Sequence, residues 1–209
     1  KWEVQGPIIN TLTSHHSLIT GKTHTVEFAF GGVGMNPHRG TPINPWDETE
    51  HRVPGGSSSG AGVSLCTGTA ALALGTDTAG SVRIPASVTG NVGLKTTKNR
   101  WATDGIFPLS PTLDTPGPIA RNVKDTKLIF NIFNGKSDYT LKPIEIKNMS
   151  FGKLKEPFTT NLDPQVMEAY ENICAELKKL GAKMEEIIIP EANEKASLFP
   201  RIVGSEIIS

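Results

Sequence analysis

Cysteine is scarce in this sequence: only Cys66 and Cys174 occur, far apart and outside any CxxC or Cys/His cluster. That excludes a disulfide framework and a zinc site as organising devices, and both thiols read as buried and reduced. Excess charge is missing too, since 21 acidic residues balance 21 basic ones. Without a basic face, neither nucleic acid nor an anionic membrane is expected as a partner. No apolar run approaches the roughly 20 residues that span a bilayer, and no basic n-region with an apolar h-region opens the chain. HExxH, the Lys-Ser/Thr ending of a P-loop, and GxGxxG with a following ribose acid are all absent. The reading is a soluble, cytoplasmic protein with no metal and no cofactor.

What is present divides near residues 135 to 150, where a Gly/Pro/Ser/Thr-rich sequence gives way to one rich in Lys and Glu. Asn134 to Asp138 is a run of turn formers at that junction. Beyond it, Asp163 as N-cap and Pro164 at the first helical position open a helix carried by Val166, Tyr170, Ile173, Leu177 and Leu180 and stopped by Gly181. A strand over Lys183 to Ile189, closed by Pro190, completes a helix-turn-strand unit. Upstream, the apolar spacing predicts helices over Pro7 to Leu18 and Asn122 to Phe133, with a short strand running into Gly21-Lys22-Thr23. Val26 to Pro54 holds too much Gly, Pro and Asn for regular elements and reads as an extended, well-anchored loop region. Residue 1 is Lys, and Phe199 to Ser209 ends without a polar tail; a piece of a longer chain is expected, with exposed apolar surface and poor stability when isolated.

The chemistry concentrates in Pro54 to Pro85. Pro54 to Gly62 sets three hydroxyls, Ser57, Ser58 and Ser59, among four glycines, a composition suited to tight backbone geometry beside small side chains that reach a ligand. A linker is the common reading of such a string, but the string runs on into a buried strand or helix end over Ala70 to Gly75 and then Thr76-Asp77-Thr78-Ala79-Gly80-Ser81-Val82-Arg83-Ile84-Pro85. Thr78, Ala79 and Gly80 ahead of Ser81 are small enough to aim consecutive N–H groups at one point, as an oxyanion hole requires. A short helix opened by Ser81 would add its terminal amides and dipole. Asp77 and Arg83 flank this turn, and a charge-assisted bond holding it is the natural reading. Ser58 is read as extending the network or capping the helix after Gly60.

The pair of strings, with Ser57 and Ser81 separated by 24 positions, resembles the amidase signature family. The likeness extends to Gly21 to Phe28, Asn44-Pro45-Trp46-Asp47, Gly93 to Thr97 and Leu113 to Pro118, closely over residues 5 to 135 and thinly over the unit after 160. It implies an α/β fold: a mixed, twisted sheet flanked by helices, present here in part. The whole chain, 1–209, then reads as a single incomplete domain, with 1–135 the catalytic core segment and 150–209 a peripheral α/β scaffold.

The resemblance also implies roles. Ser81 falls on the nucleophile and Ser57 on the bridging serine, with a cis peptide bond at Gly56–Ser57. A neutral lysine accepts a proton from Ser57, Ser57 accepts one from Ser81, and the Ser81 oxygen attacks an amide carbonyl. Thr78, Ala79, Gly80 and Ser81 would donate N–H groups to the oxyanion, each worth about 3 kcal/mol. The family's lysine falls ahead of residue 1; Lys22 matches a separate Gly-Lys-Thr motif and is not the base. The chain alone is therefore expected to be inactive. His15, His16, His24, His38 and His51 read as surface or packing residues. Trp101 to Pro108 either lines a substrate channel or supports the sheet.

The function so implied is hydrolysis of a small-molecule amide, with a homodimer left open. The alternatives are the amidase-family subunit of a glutamyl/aspartyl-tRNA amidotransferase and a noncatalytic amidase-like binding module. The first is weakened by His24-Thr25-Val26, where the typical amidotransferase chain has Asn-Met-Asp.

Overall fold

The computed structural model describes residues 4–135 and 144–208, and its contacts gather into two units, Lys1–Tyr139 with Val203–Ser209, and Thr140–Ile202. Past Gly135, the turn expected over 134–138 lies outside the described residues.

The first unit begins with α1, Pro7–Ser14, which starts on proline and buries Ile8 and Leu12. It stops well before the expected Leu18. Thr13 and Ser14 turn their hydroxyls back onto the carbonyls of Ile9, Asn10 and Thr11, and His16 takes a φ of 59°. No strand forms at Gly21-Lys22-Thr23. The backbone that follows is engaged elsewhere, because His24 O accepts the Gly60 N–H at 2.8 Å and the Val26 N–H donates to Ser57 O at 2.9 Å.

A three-stranded antiparallel sheet of order β1-β3-β2 follows: β1, Leu72–Asp77; β2, Val92–Gly93; and β3, Thr115–Ala120. The register sets Leu72 opposite Ala120 and Asp77 opposite Thr115. All six residues of β3 are buried, as a central strand requires, yet it carries Pro116 and Pro118. Pro118 O accepts from Leu94 N–H on the β2 side; an extended residue points its N–H and C=O the same way, so the missing prolyl donors face β2 and keep that pairing short. Helices α2 (Ser59–Cys66), α3 (Arg83–Val88) and α4 (Val123–Phe133) complete the unit. Ala61 and Leu65 of α2, Val82 and Ala86 around α3, and Ala73 and Ile119 of the sheet form the core. Asn122 caps α4 by accepting the Asp125 N–H at 2.8 Å.

The region from Val26 to Pro54 is the anchored loop the composition predicts, apart from one 3₁₀ turn at Glu27–Ala29. Its anchors are buried amides: Asn36 Nδ2 donates to Thr25 O at 2.9 Å, and Asn44 Nδ2 to Val53 O at 3.1 Å and Val88 O at 2.9 Å.

In the second unit, β4 (Ser150–Leu154) and β5 (Lys183–Ile187) pair in parallel through α5, Pro164–Lys179. Asp163 accepts the Gln165 N–H at 2.8 Å to cap α5, and Gly181 leaves the helix at φ 91°. The strand ends at Ile187, before the expected Ile189, because its partner β4 ends at Leu154, the residue paired with Ile187. The last helix is α6 (Lys195–Ile207), whose residues from Val203 onward belong to the first unit. Antiparallel and parallel pairing with flanking helices give the mixed α/β class expected. Cys66 and Cys174 are free thiols, half-buried rather than enclosed in the core. Among the described residues, no helix is long and apolar enough to cross a membrane.

Candidate active site

The two serine-bearing strings meet. Ser58 N–H donates to Ser81 O at 3.2 Å, which joins backbone 23 positions apart and brings Ser57 and Ser81 into one neighbourhood. Both are buried, at 1% and 8% exposure. The Gly56–Ser57 peptide bond is cis. Around it, Gly56 N–H donates to Gly32 O at 2.8 Å and Val26 N–H to Ser57 O at 2.9 Å. Position 56 admits no side chain, since a Cβ there would lie 2.4 Å from Gly31 O and 2.8 Å from Gly34 N.

Ser58 occupies the N-cap position of α2, but its side chain makes no cap bond; Oγ turns toward Thr76 O at 3.5 Å. Ser59 Oγ donates to His24 O at 3.3 Å. Ser58 sits against Gly75 of β1, where a Cβ would come within 2.4 Å of Ser58 Oγ and 2.8 Å of its Cβ. Gly75→Ala is therefore expected to displace Ser58 and to lower stability by about 1–3 kcal/mol, read as a fall in the denaturant midpoint.

Asp77 organises the second string. It ends β1 fully buried, and its carboxylate accepts from Gly80 N–H (2.7 Å), Val82 N–H (3.3 Å), Arg83 N–H (3.4 Å), Arg83 Nε (2.9 Å) and Arg83 Nη2 (2.9 Å). Burial alone would push this carboxyl up; the Arg83 guanidinium and the Gly80 and Val82 amides outweigh it and hold the group below the ordinary carboxylate range. The same pairing raises Arg83.

This hub corrects two expectations. Ser81 does not open a helix: α3 begins at Arg83, and the Val82 and Arg83 amides that would have faced an anion face Asp77 instead. Gly80 is not a free donor either, because its N–H is held by Asp77 Oδ1. Among the described residues, the amides of Thr78, Ala79 and Ser81 make no hydrogen bond, in contrast to those of Gly80, Val82 and Arg83.

Ser57 and Ser58 line a cavity of about 510 Å³, whose walls include Ile8, Val26, Phe28, Leu74, Ile106 and Phe107. The segment from Trp101 packs on α4 at one end and walls this cavity at the other. Trp101 is buried against the Phe133 and Phe130 rings, at 4.6 and 6.0 Å between centroids, while Asp104 to Phe107 wall the cavity.

A family model described as Amidase matches residues 5–209. The chain belongs to the amidase family. It is 47% identical to the 2-amino-5-chloromuconic acid deaminase of Comamonas testosteroni, over 96% of this chain and 44% of that protein. It is 36% identical to a glutamyl-tRNA(Gln) amidotransferase subunit of Streptococcus pneumoniae strain Hungary19A-6, over 90% of this chain and 41% of the relative. Among solved structures, one described as a crystal structure of amidase superposes with a TM-score of 0.88 at 32% identity, covering 97% of this chain and 45% of its own. The corresponding glutamyl-tRNA(Gln) amidotransferase subunit from Thermotoga maritima superposes at 0.87 with 27% identity, covering 98% and 48%. The chain thus spans less than half the length of these relatives.

Lys22, His15, His16, His24 and His51 are exposed, and His38 Nε2 stands 3.5 Å from Glu27 Oε2 at the surface. One group went unread in the sequence: Asp114, buried beside the second string, accepts the Thr78 hydroxyl at 2.5 Å. It lies in the Leu113 to Pro118 stretch that carries part of the family resemblance, but no local pattern marks it as a partner of Thr78.

Proposed function

We propose that this chain supplies the nucleophile and proton relay of an enzyme that hydrolyses a carboxylic amide C–N bond. The observation that carries the reading is the meeting of the two strings through Ser58 N–H and Ser81 O, with Ser81 on a turn held by Asp77. Ser81 Oγ attacks the carbonyl carbon while its proton passes to Ser57, and the Ser57 proton passes to the neutral lysine of the family resemblance. The Thr78, Ala79 and Ser81 amides receive the tetrahedral oxyanion. Collapse breaks the C–N bond, the relay returns a proton to the departing amine, and an acyl ester on Ser81 remains. Water, deprotonated through the same relay, attacks that ester to release the acid and restore Ser81. The two units are read as parts of one amidase domain, the first catalytic and the second scaffold.

The test is ammonia release by the intact protein from simple carboxamides; 2-amino-5-chloromuconic acid, the compound in the name of the 47% identical relative, has an amino group but no amide and serves as the contrast. With an amide substrate, hydroxylamine is expected to divert the acyl group to a hydroxamate. No ammonia from any amide, with the protein folded, would overturn the reading.

A second reading follows from the likeness to amidotransferase subunits: amide hydrolysis serving transfer of ammonia to a misacylated tRNA, with partner subunits. Glutamine as the preferred amide, with ATP and tRNA stimulating turnover, would favour it.

A further inference from the structure

We infer that Asp114 is a positioning residue for the oxyanion segment, acting through Thr78. The inference rests on the amidase reading above. Asp114 is 7% exposed and uses its two oxygens differently. Oδ2 accepts Leu109 N–H at 2.8 Å and Ser110 N–H at 3.0 Å, closing its own loop. Oδ1 accepts the hydroxyl of Thr78, 36 positions away. Closing the loop needs only the first oxygen; the second reaches across to the turn that carries Ser81.

The consequence is a segment pinned at both ends. Asp77 holds Gly80, Val82 and Arg83, and Asp114 holds Thr78. Between these carboxylates lie the Thr78 and Ala79 peptides, whose free N–H groups must fall about 2.7–3.1 Å from a developing oxyanion to act on it. Without the Thr78 bond, nothing else among the described hydrogen bonds fixes the rotation of those peptides.

The Asp114 end is itself rigid. Lys98 Nζ donates to Pro111 O at 2.7 Å and to Asp114 O at 2.8 Å. Glu206 of α6 accepts from the Ser110 hydroxyl, and from Thr112 Oγ1 at 2.6 Å. This loop is a fixed post against which Thr78 is set, and small displacements of an aligned donor carry large rate penalties.

The experiment compares Thr78→Val, Thr78→Ser and Asp114→Asn in the intact enzyme. Thr78→Val keeps the shape and removes the donor; kcat is expected to fall about tenfold with KM nearly unchanged, short of the roughly 100-fold cost of losing an oxyanion donor outright. Thr78→Ser is expected to restore kcat, and affinity for a peptidic aldehyde that adds to the nucleophile should fall in step with kcat/KM. Combining Asp114→Asn with Thr78→Val should cost less than the two losses multiplied. Wild-type kcat in Thr78→Val, or losses that multiply fully and track a lowered melting temperature, would overturn the inference. Ser81→Ala separates the two levels: if it is inactive while Thr78→Val is normal, the positioning role alone fails. If Ser81→Ala turns over, the amidase reading of the site fails with it.

Discussion

Ser81→Ala in the intact enzyme is expected to cut kcat on the order of 10⁴-fold or more while leaving the fold in place. The side chain is small, and its loss opens little space in a segment whose conformation is set by backbone bonds to Asp77 and by the Ser58 link. Thermal stability should therefore change by no more than about 1 kcal/mol. Single-turnover assays with hydroxylamine check the chemistry, since the variant should form no acyl ester and hence no hydroxamate. On the proposed mechanism Ser57→Ala would interrupt the relay and leave the nucleophile, so a smaller loss with detectable acyl ester is expected. Equal turnover in the Ser81→Ala and wild-type enzymes would move the nucleophile elsewhere.

Asp77→Ala is expected to be the most destabilising single change near the site. It strips the carboxylate from three backbone donors and from a guanidinium at once, leaving the Gly80 and Val82 N–H groups buried without acceptors. A loss of about 3 kcal/mol or more is expected by chemical denaturation, with kcat lowered as the turn relaxes. Asp77→Asn keeps the shape but turns an N–H₂ toward donors, so it should fall between the wild type and the alanine variant. The pH dependence follows from the direction of the shift. The Asp77 carboxyl is held below its ordinary value in the folded protein, so its stabilisation is complete above about pH 4, where the unfolded chain is already ionised. It is lost as pH falls through the lower folded value. Wild-type stability should drop through that acid window, and the drop should be shallower in Asp77→Asn; parallel acid curves for the two would remove Asp77 from the account.

Elements with local punctuation were legible from the sequence. Asp163, Pro164 and Gly181 bracket α5 as their capping chemistry dictates, and Asn122 does the same for α4. Errors arose where a local signal competed with a distant partner. The apolar pattern past α1 suggested more helix and then a strand, but the backbone of His24 and Val26 bonds to the serine string, a contact no local window contains. The end of β5 is not set locally, because strand length depends on the partner, and β4 stops at Leu154. At the site, the serine strings and the flanking Asp77/Arg83 pair were visible as composition and motif. Asp77 capturing the Gly80 amide was not, because which N–H points inward depends on the turn's dihedral angles, here a φ of 124° at Gly80. Asp114 was not legible because its partner, Thr78, meets it one position past the Asp77–Thr115 pair, and the register of β1 against β3 is not contained in any local window.

The cavity draws its walls from two kinds of backbone. Ser57, Ser58, Leu74, Gly75 and Thr76 come from the interlocked strings and β1, while Ile8, Phe28, Ile106 and Phe107 come from α1 and from turns outside the sheet. Substitutions in the second group would alter those walls without touching the serine string or β1. If this cavity holds the substrate of the proposed amidase, that division would let its specificity change through peripheral side chains alone, with the serine-bearing backbone left as it is.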